Sequence, residues 1–591
     1  MVGSRPTDSV PMRRYRFLAT IGLLAMLACG DDAPTGESKL ALPADPSPAD
    51  QAANQSNVLD LSWSVDGSGK NFDVFLGPTE EPPLVASGLT TPHYRTARLA
   101  TATTYYWRVV NAAMIGETDG PLWSFATAPG APPDPPTLIA PPDGADVAQD
   151  EINLQWSAAA PEDSISYRVY FGTQAAPPMV ATDLHTSTYA ISVNVGETYY
   201  WQIESRNGDG LGSTSPVWRF KALPVPGHMY NMAGTGAHGT GEVDQLPLAT
   251  DLNWPQDIAF DHAGSLVIVD WNNHRVLRAD PASGHLFVVV GSPEGMTGDP
   301  CGPYPLPCDG VDPSEATLTH PTSVTFAGDG KMALSAWHNS GVFILDFDSN
   351  TMNRVAGIGK PCYDGDEKPA NTACIYLPAA SVFDLEGRLC FTDQANMIIR
   401  MVDAGGVIHR IAGQEPVFNG SRYVPQAGFF GDEGPATSAK FKWDGSTTCG
   451  KLCIDAAGNI YVADTLNHAV RMIDPAGIIH RFAGLFPATP GFGGDGGPAT
   501  SAQLQEPRDV ACDADGNVFI ADTGNDVIRM VSPSGIISTV AGVPGVVGGS
   551  FPDGKPAVES PLNLPYGIDI DPLGNLWIAD TYNNRIRIVY R

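Results

Sequence analysis

Basic residues are scarce in this chain: 34 Lys and Arg stand against 65 Asp and Glu, a formal charge of −31 at pH 7 over 591 residues. Holding a phosphate backbone needs clustered Lys and Arg, so the balance argues against nucleic acid as a partner. Long apolar runs are scarce too. After residue 28 no stretch approaches the ~20 apolar residues that a membrane-spanning helix requires. Cysteine is missing from residue 30 to residue 300 and then appears eight times, so disulfides belong to the C-terminal part. Neither a Gly-x-Ser-x-Gly elbow nor a His-Glu-x-x-His helix occurs, which leaves those two nucleophilic and zinc sites without a carrier.

What the chain has in abundance is repetition. Six similar copies fill the stretch from Trp254 to Arg591, the clearest running from Leu504 to Val543 as LQEPRDVACDADGNVFIADTGNDVIRMVSPSGIISTVAGV. Each copy holds short alternating runs (DVAC, NVFIAD, VIRMV, IISTVAG) separated by Gly, Asp and Asn turns, the pattern of a four-stranded antiparallel meander. One such unit cannot bury its apolar face alone, and six arranged radially make a propeller. A Gly recurs in the first hairpin at Gly264, Gly330, Gly387, Gly458, Gly516 and Gly574. The second strand ends in Asp at Asp270, Asp393, Asp464, Asp522 and Asp580, and the turn carries Asn273, Asn396, Asn467, Asn525 and Asn583. Arg278, Arg400, Arg471, Arg529 and Arg587 occupy the third strand.

These residues resemble the NHL repeat family over about residues 225–591. The second copy departs, with Ala336 for the Asp and Ile344 for the Arg. Its hairpin is expected to form without Asp–Arg support. A catalytic group is needed once, not in every blade, so the repeated polar residues read as scaffold: Asp and Arg pair across strands, and Asn tolerates left-handed turn geometry. The last copy ends at its third strand, RIRIVYR, while His228–Gly236 resembles a fourth strand. That segment is expected to complete the last blade and leave no open edge.

The N-terminus reads as a targeting segment: MRRYRF supplies charge, LATIGLLAMLA the apolar core, and Met12 is an alternative start. MLA followed by Cys29 resembles the lipobox of bacterial lipoproteins, which implies lipidation at Cys29, export and an outer-membrane anchor. Cys301 with Cys308, and Cys362 with Cys374, each bracket one inter-blade loop and are candidate disulfides of an exported protein. Cys449 and Cys453 can pair only if the chain turns between them. Cys390 and Cys512 fall on strand positions that are apolar elsewhere and read as buried thiols.

Two units precede the repeats and copy each other: LDLSWS, FDVFLG, TTYYWRVV and PLWSFATA, then INLQWS, YRVYFG, ETYYWQIE and PVWRFKAL. Alternation puts Trp63, Trp156, Trp107 and Trp201 inside. Order and spacing resemble fibronectin type III domains, joined by the Pro-rich Pro129–Thr137, and a spacer is their expected role. The expected organisation is all-β: a signal peptide over 1–28, a flexible tether over 29–50, sandwiches over 51–128 and 135–223, and the propeller over 225–591.

The long inter-blade loops repeat a Gly-Asp-Gly motif, as in Gly491–Pro507 and Gly428–Phe441. They share one face with the Asp-x-x-Asn turns. The motif's recurrence favours turns that fix loop shape, while the face as a whole is the expected binding surface, since loops on a rigid scaffold carry function. Its candidate residues are Trp254, His320, Glu506 and Asp444, just before or near the inner strands. Some proteins with NHL-like propellers are enzymes, including peptidylglycine amidating lyase and the gluconolactonase and paraoxonase group, which hold a metal in the central funnel. The leading expectation is a lipid-anchored envelope protein that binds a protein or glycan through the long-loop face, without cofactor. The alternative is a metal-dependent lyase or lactone hydrolase acting in the funnel. The acidity leaves weak calcium binding open, but no EF-hand loop supports it.

Overall fold

The computed structural model describes residues 41–591 except 67–70, 114–115, 150–151, 158–164, 209, 243, 292–309 and 548–552. The signal segment, Cys29, and the Cys301 and Cys308 pair lie outside the described residues. Every regular element described is a β-strand or a short 3-10 turn.

Two sandwiches come first. In each, a three-stranded sheet faces a six-stranded one, and alternate residues point inward. The first closes over Trp63, Trp107 and Trp123, with Trp107 and Trp123 4.7 Å apart. The second closes over Trp156 and Trp201. Such large rings supply the apolar area that disulfides would otherwise replace. The composition-based tether ends earlier than expected: Ala44–Ser47 is already a strand paired with Asp60–Ser64, and Asn111 donates to the Ala41 carbonyl.

Six sheets then follow in chain order, each a meander of consecutive antiparallel strands. In blades 1 to 5 the four main strands are contiguous in sequence. Blade 6 takes its outer strand from the front of the ring: His228–Ala233 pairs with Arg585–Val589, with Met229 opposite Val589 and Tyr230 opposite Ile588. This closure is the one expected from the sequence. Apolar side chains of neighbouring blades interlock between the sheets, as Val267 and Val269 do with Leu334 and Phe343.

The long loops turn out to build the ring. Before reaching its inner strand, each loop touches the outer strand of the blade it precedes. Lys368–Pro369, Gly434–Pro435 and Lys555–Pro556 add short strands there, and Gln245, Val311 and Pro498 make single bridges. The exposed edge of every blade is thereby covered. A 3-10 turn follows in each loop, and Ala370, Ala436, Ala499 and Ala557 wedge into the core from it.

The repeated Asp, Asn and Arg are interior. Arg400, Arg471, Arg529 and Arg587 reach Asp393, Asp464, Asp522 and Asp580 at 3.2, 3.5, 3.5 and 3.2 Å, and all eight side chains are buried. The Asp of the loop motif joins them: Asp366, Asp432 and Asp495 lie 2.7, 2.6 and 2.6 Å from Arg400, Arg471 and Arg529. The Gly-Asp-Gly strings therefore anchor the loops to the scaffold. Two expectations need correction. In blade 1 the buried partner of Asp270 is Arg275, at 2.8 Å, whereas Arg278 binds Asp261 at the opposite hairpin. The strand is the same, but the guanidinium enters from its first residue. In the turns, the left-handed residue is the one after the Asn (His274, Met397, His468, Asp526, Asn584), while the Asn side chain donates to the Asp carboxylate.

Blade 2 compensates for its missing pair. Asn253, Tyr376, Lys442, Gln505 and Asn563 each donate a backbone N–H to the blade's Asp, and in blade 2 Asn339 accepts the equivalent bond from Thr319 at 2.8 Å.

Of the cysteines, Cys362 and Cys374 form a disulfide as expected. Cys512 does not remain a free thiol: it pairs with Cys453 of the neighbouring blade, 59 residues away, because the inner strands Leu452–Ile454 and Asp509–Cys512 run side by side at the axis. Cys390 and Cys449 are free, and burial pushes both thiols up to about 12.

Candidate functional site

The inner strands converge on a central channel. Five of them contribute one residue each to a ring, Asp257, Ser323, Ser381, Asp509 and Gly567, and Lys451, just ahead of the strand Leu452–Ile454, is the sixth member. A Cβ at Gly567 would collide with the Gln256 carbonyl of blade 1, so the ring closes only with glycine there. The Lys451 ammonium is buried between two carboxylates, 2.6 Å from Asp257 and 3.1 Å from Asp509, and also donates to the Gln256 carbonyl. Burial pushes the Asp509 carboxyl up to about 6 even against the Lys451 charge. Asp569, two residues beyond Gly567, is pushed up to about 8 by burial, with the Asp257 and Asp509 charges adding to it. Asp257, Ser323, Ser381, Lys451, Asp509 and Asp569 line a cavity of about 360 Å³.

At the long-loop end the channel is plugged. The fourth-copy insertion, from Asp444 to Cys449, crosses the axis and is tied to blades 1, 3 and 5. Thr448 Oγ1 donates to Gln256 Oε1, Gln394 donates to the Asp444 and Thr447 carbonyls, and Arg508 donates to Thr447 Oγ1 at 2.8 Å and to the Thr448 carbonyl at 2.6 Å. Asp444 Oδ1 accepts from the backbone and hydroxyls of Ser446 and Thr447. Burial pushes this carboxyl up, but those bonds outweigh it and hold it below the usual range.

Beside the plug lies a crescent of rings. Tyr566 and Tyr582 are 6.2 Å apart, Tyr582 and Trp254 are 5.0 Å apart, and Trp254 and Trp271 are 6.0 Å apart. It continues through Trp271 and His320 at 4.2 Å, His320 and His338 at 4.7 Å, and His338 stacked on Trp337. The backbone holds it in place through a recurring inter-blade clasp. Trp254, His320, Glu506 and Leu564 enter their inner strands with φ of 54°, 54°, 48° and 47°, a region side chains rarely adopt. Each is fixed by its own N–H, which donates to the turn of the preceding blade: to Asn584, His274, His468 and Asp526 at 3.1, 3.1, 3.1 and 2.8 Å. His274 and His468 must stay unprotonated at Nδ1 to accept, and burial lowers both imidazoles. His320 is lowered to about 3 by burial and by the charges His274 and His338 would carry. The imidazole group is therefore neutral at physiological pH.

Of the four residues named from sequence, the structure brings Trp254 and His320 into the crescent. Glu506 instead pairs with Arg508 at 3.2 Å, and Asp444 caps its own turn. His320, Glu506 and Asp444 are thus committed to different partners, and among the described residues no group of three or more His, Cys, Asp or Glu is arranged to hold a metal. Sequence reasoning missed Trp271, Trp337, Tyr582 and Lys451. The signal for Trp271 and Trp337 was the position after the repeat Asp, where Thr465, Thr523 and Thr581 stand in three other blades.

Comparison with known proteins agrees with this ring. The Teneurin NHL domain model matches residues 484–552, and the NHL repeat model matches 562–589. The chain carries an NHL-repeat domain. NHL repeat-containing protein 2 of Bos taurus is 26% identical over 387 residues, covering 58% of this chain and 47% of that protein. Teneurin-1 of Gallus gallus is 26% identical over 258 residues, covering 40% of this chain and 9% of that protein. The chain thus spans about half the length, at 47%, of the first curated relatives it matches. Among solved structures, an auxiliary nutrient binding protein from Bacteroides thetaiotaomicron shares 13% identity at a TM-score of 0.45, covering 77% of this chain and 97% of that one.

Proposed function

We propose that this chain is a non-catalytic binding module whose NHL propeller meets a protein or glycan on the long-loop face. The observation that carries the reading is the crescent: Tyr582 and His338 are exposed, Trp254, Trp271 and His320 partly so, and inter-blade hydrogen bonds hold Trp254 and His320 next to a channel mouth closed by the chain's own insertion. A ligand arriving there meets a preformed floor, and rigid aromatic anchors bind at low entropic cost. The residues that a funnel metal would use are engaged elsewhere, which supports binding over lyase or lactonase chemistry. The lipobox resemblance at Cys29 supports a lipid anchor on the outer membrane, with the two fibronectin type III-like sandwiches as spacers.

Two measurements test this. An environment-sensitive dye on Asn272→Cys reports the long-loop face, and one on His262→Cys reports the opposite channel mouth. Envelope material that binds the protein should shield the first label and spare the second; shielding of the second alone would reverse the assignment. Metabolic labelling with a fatty acid should mark the wild type and not Cys29→Ser, and equal labelling of both would remove the anchor.

A further inference from the structure

We infer that the central cavity is a binding site for a small organic cation, an amine or guanidinium with a short hydrocarbon body, which enters from the mouth opposite the plug. The site lies inside the ring, apart from the long-loop face, and is independent of whatever that face binds.

Unspent acceptors lead there. The Lys451 ammonium is fully committed to Asp257, Asp509 and the Gln256 carbonyl. Backbone N–H groups also hold those carboxylates: Val324 donates to Asp257 Oδ2 at 2.9 Å, Val510 to Asp509 Oδ1 at 2.8 Å and Ile568 to Asp509 Oδ2 at 2.9 Å. Two other acceptors face the cavity unused. Ser323 takes the ring position of blade 2 and is only 4% exposed, yet among the described residues its hydroxyl has no hydrogen-bond partner. Asp569 stands one step nearer the open mouth. Its Oδ1 accepts from the Ile570 N–H at 2.8 Å, while Oδ2 has no donor among the described residues. Buried polar groups are as a rule hydrogen-bonded, so an unpartnered hydroxyl and an unpartnered carboxylate oxygen lining one cavity call for a ligand that donates.

Charge gives the ligand its sign. With every carboxyl ionised, Asp257, Asp509 and Asp569 outnumber Lys451 by two charges. Burial, helped by the Asp257 and Asp509 charges and opposed by the Ile570 N–H and Lys451, keeps a proton on Asp569 up to about 8. His262, the remaining titratable side chain of the lining, is tied at the rim to the Ala327 carbonyl at 2.9 Å. A cation beside Asp569 Oδ2 replaces that proton and gains an ion pair away from bulk water, where opposite charges attract most strongly. An anion would meet the same carboxylates and be repelled.

Shape gives it a hydrocarbon body. Towards the open mouth the wall is built from Ala259, Val382, Ala511 and the Cys453–Cys512 disulfide, with the Thr325 hydroxyl among them. A calcium ion takes about six to eight oxygen ligands. Here Lys451 already fills the place between two carboxylates, and Asp569 alone offers a carboxylate oxygen without a donor. The volume of about 360 Å³ falls in the range of about 300–1,000 Å³ usual for small-molecule pockets. The Asp444–Cys449 plug closes the long-loop end, so the ligand passes Phe260, His262 and Phe326 at the other.

The test titrates the full chain with benzylamine, 1,4-diaminobutane and agmatine by calorimetry, with benzyl alcohol as the uncharged match and calcium as the inorganic one. At least one amine should bind, and benzyl alcohol should not. Titration in buffers of different ionisation heat should show release of about one proton per amine at pH 7, and affinity should rise more than about tenfold from pH 6 to pH 8. Asp569→Asn should weaken binding at least about tenfold and abolish both effects. Ser323→Ala, which removes one hydroxyl, should weaken it about threefold and keeps the test open should Asp569→Asn fail to fold. Failure of every amine to bind, equal affinity for benzyl alcohol, or unchanged affinity in either variant would overturn the proposal. Calcium binding that Asp569→Asn removes, with no amine competing for it, would make this an inorganic cation site and overturn it too.

Discussion

Replacing Lys451 by methionine removes the charge that two buried carboxylates share. Asp257 and Asp509 lie 2.6 and 3.1 Å from its ammonium, and all three side chains are at most 8% exposed. Removing one partner of a buried ion pair costs about 3–5 kcal/mol, because the other charge is left without compensation. In a domain of this size that corresponds to a drop on the order of 5–10 °C in the propeller's melting temperature. The loss depends on pH, with a definite sign. Asp509 titrates at about 6 in the native state, above its unfolded value of about 3.9. The native state therefore holds the extra proton between those values, and this group's contribution to stability falls as pH rises through the window. Without Lys451 the native value moves higher and the fall continues above pH 6. Differential scanning calorimetry should show the Lys451→Met propeller losing more relative to wild type at pH 7 than at pH 5, with Lys451→Met/Asp509→Asn recovering part of it. A loss below about 1 kcal/mol, or an equal loss at the two pH values, would refute the account.

Asp569, raised to about 8, disfavours the native state as pH climbs towards that value, so Asp569→Asn should stabilise the propeller at pH 9 and change little at pH 4 in thermal melts. The Cys453–Cys512 bridge joins inner strands 59 residues apart, and a double serine variant should lose about 2–4 kcal/mol in denaturant titration; peptide mapping without reductant checks the pairing itself. Asn339→Ala leaves the Thr319 N–H without its acceptor and should cost about 1–3 kcal/mol, whereas Asn339→Asp should be tolerated because the other blades use a carboxylate for the same bond.

The ring, its six blades and the shared last blade were legible because they depend on periodicity: alternating apolar residues, hairpin glycines and a recurring Asp-x-x-Asn each report a local rule. Pairings between blades were not. Cys512 looks like an apolar strand residue in its own copy, and only the packing of adjacent inner strands brings it to Cys453. Arg278 reads from the sequence as the repeat arginine of blade 1, yet the buried guanidinium comes from Arg275, and strand register decides which of them points inward. Lys451 carries no signal at all, since its partners come from blades 1 and 5.

Several irregular positions share one location. Trp271 and Trp337 replace the usual Thr after the second strand, Gln394 replaces it in blade 3, and the Asp444–Cys449 insertion interrupts blade 4. In blades 5 and 6 that Thr serves the ring: Thr523 and Thr581 donate to the Pro565 and Pro255 carbonyls of the next blade at 2.6 and 2.7 Å, whereas Thr465 of blade 4 bonds within its own blade. Blades 1 and 2 give up that hydroxyl for indoles, and Gln394 uses its amide to accept from Trp337 and hold the plug. Blades 1 and 2 place Trp271 and Trp337 beside the channel mouth, blade 6 adds Tyr582 while keeping Thr581, and blade 3 supplies the clamp on the plug. In blade 2 the departure exchanges one inter-blade bond for another, since the buried Trp337 indole donates to Gln394 of blade 3, whereas in blade 1 the Trp271 indole is partly exposed, local variation of the kind expected of a site grafted onto a repetitive scaffold.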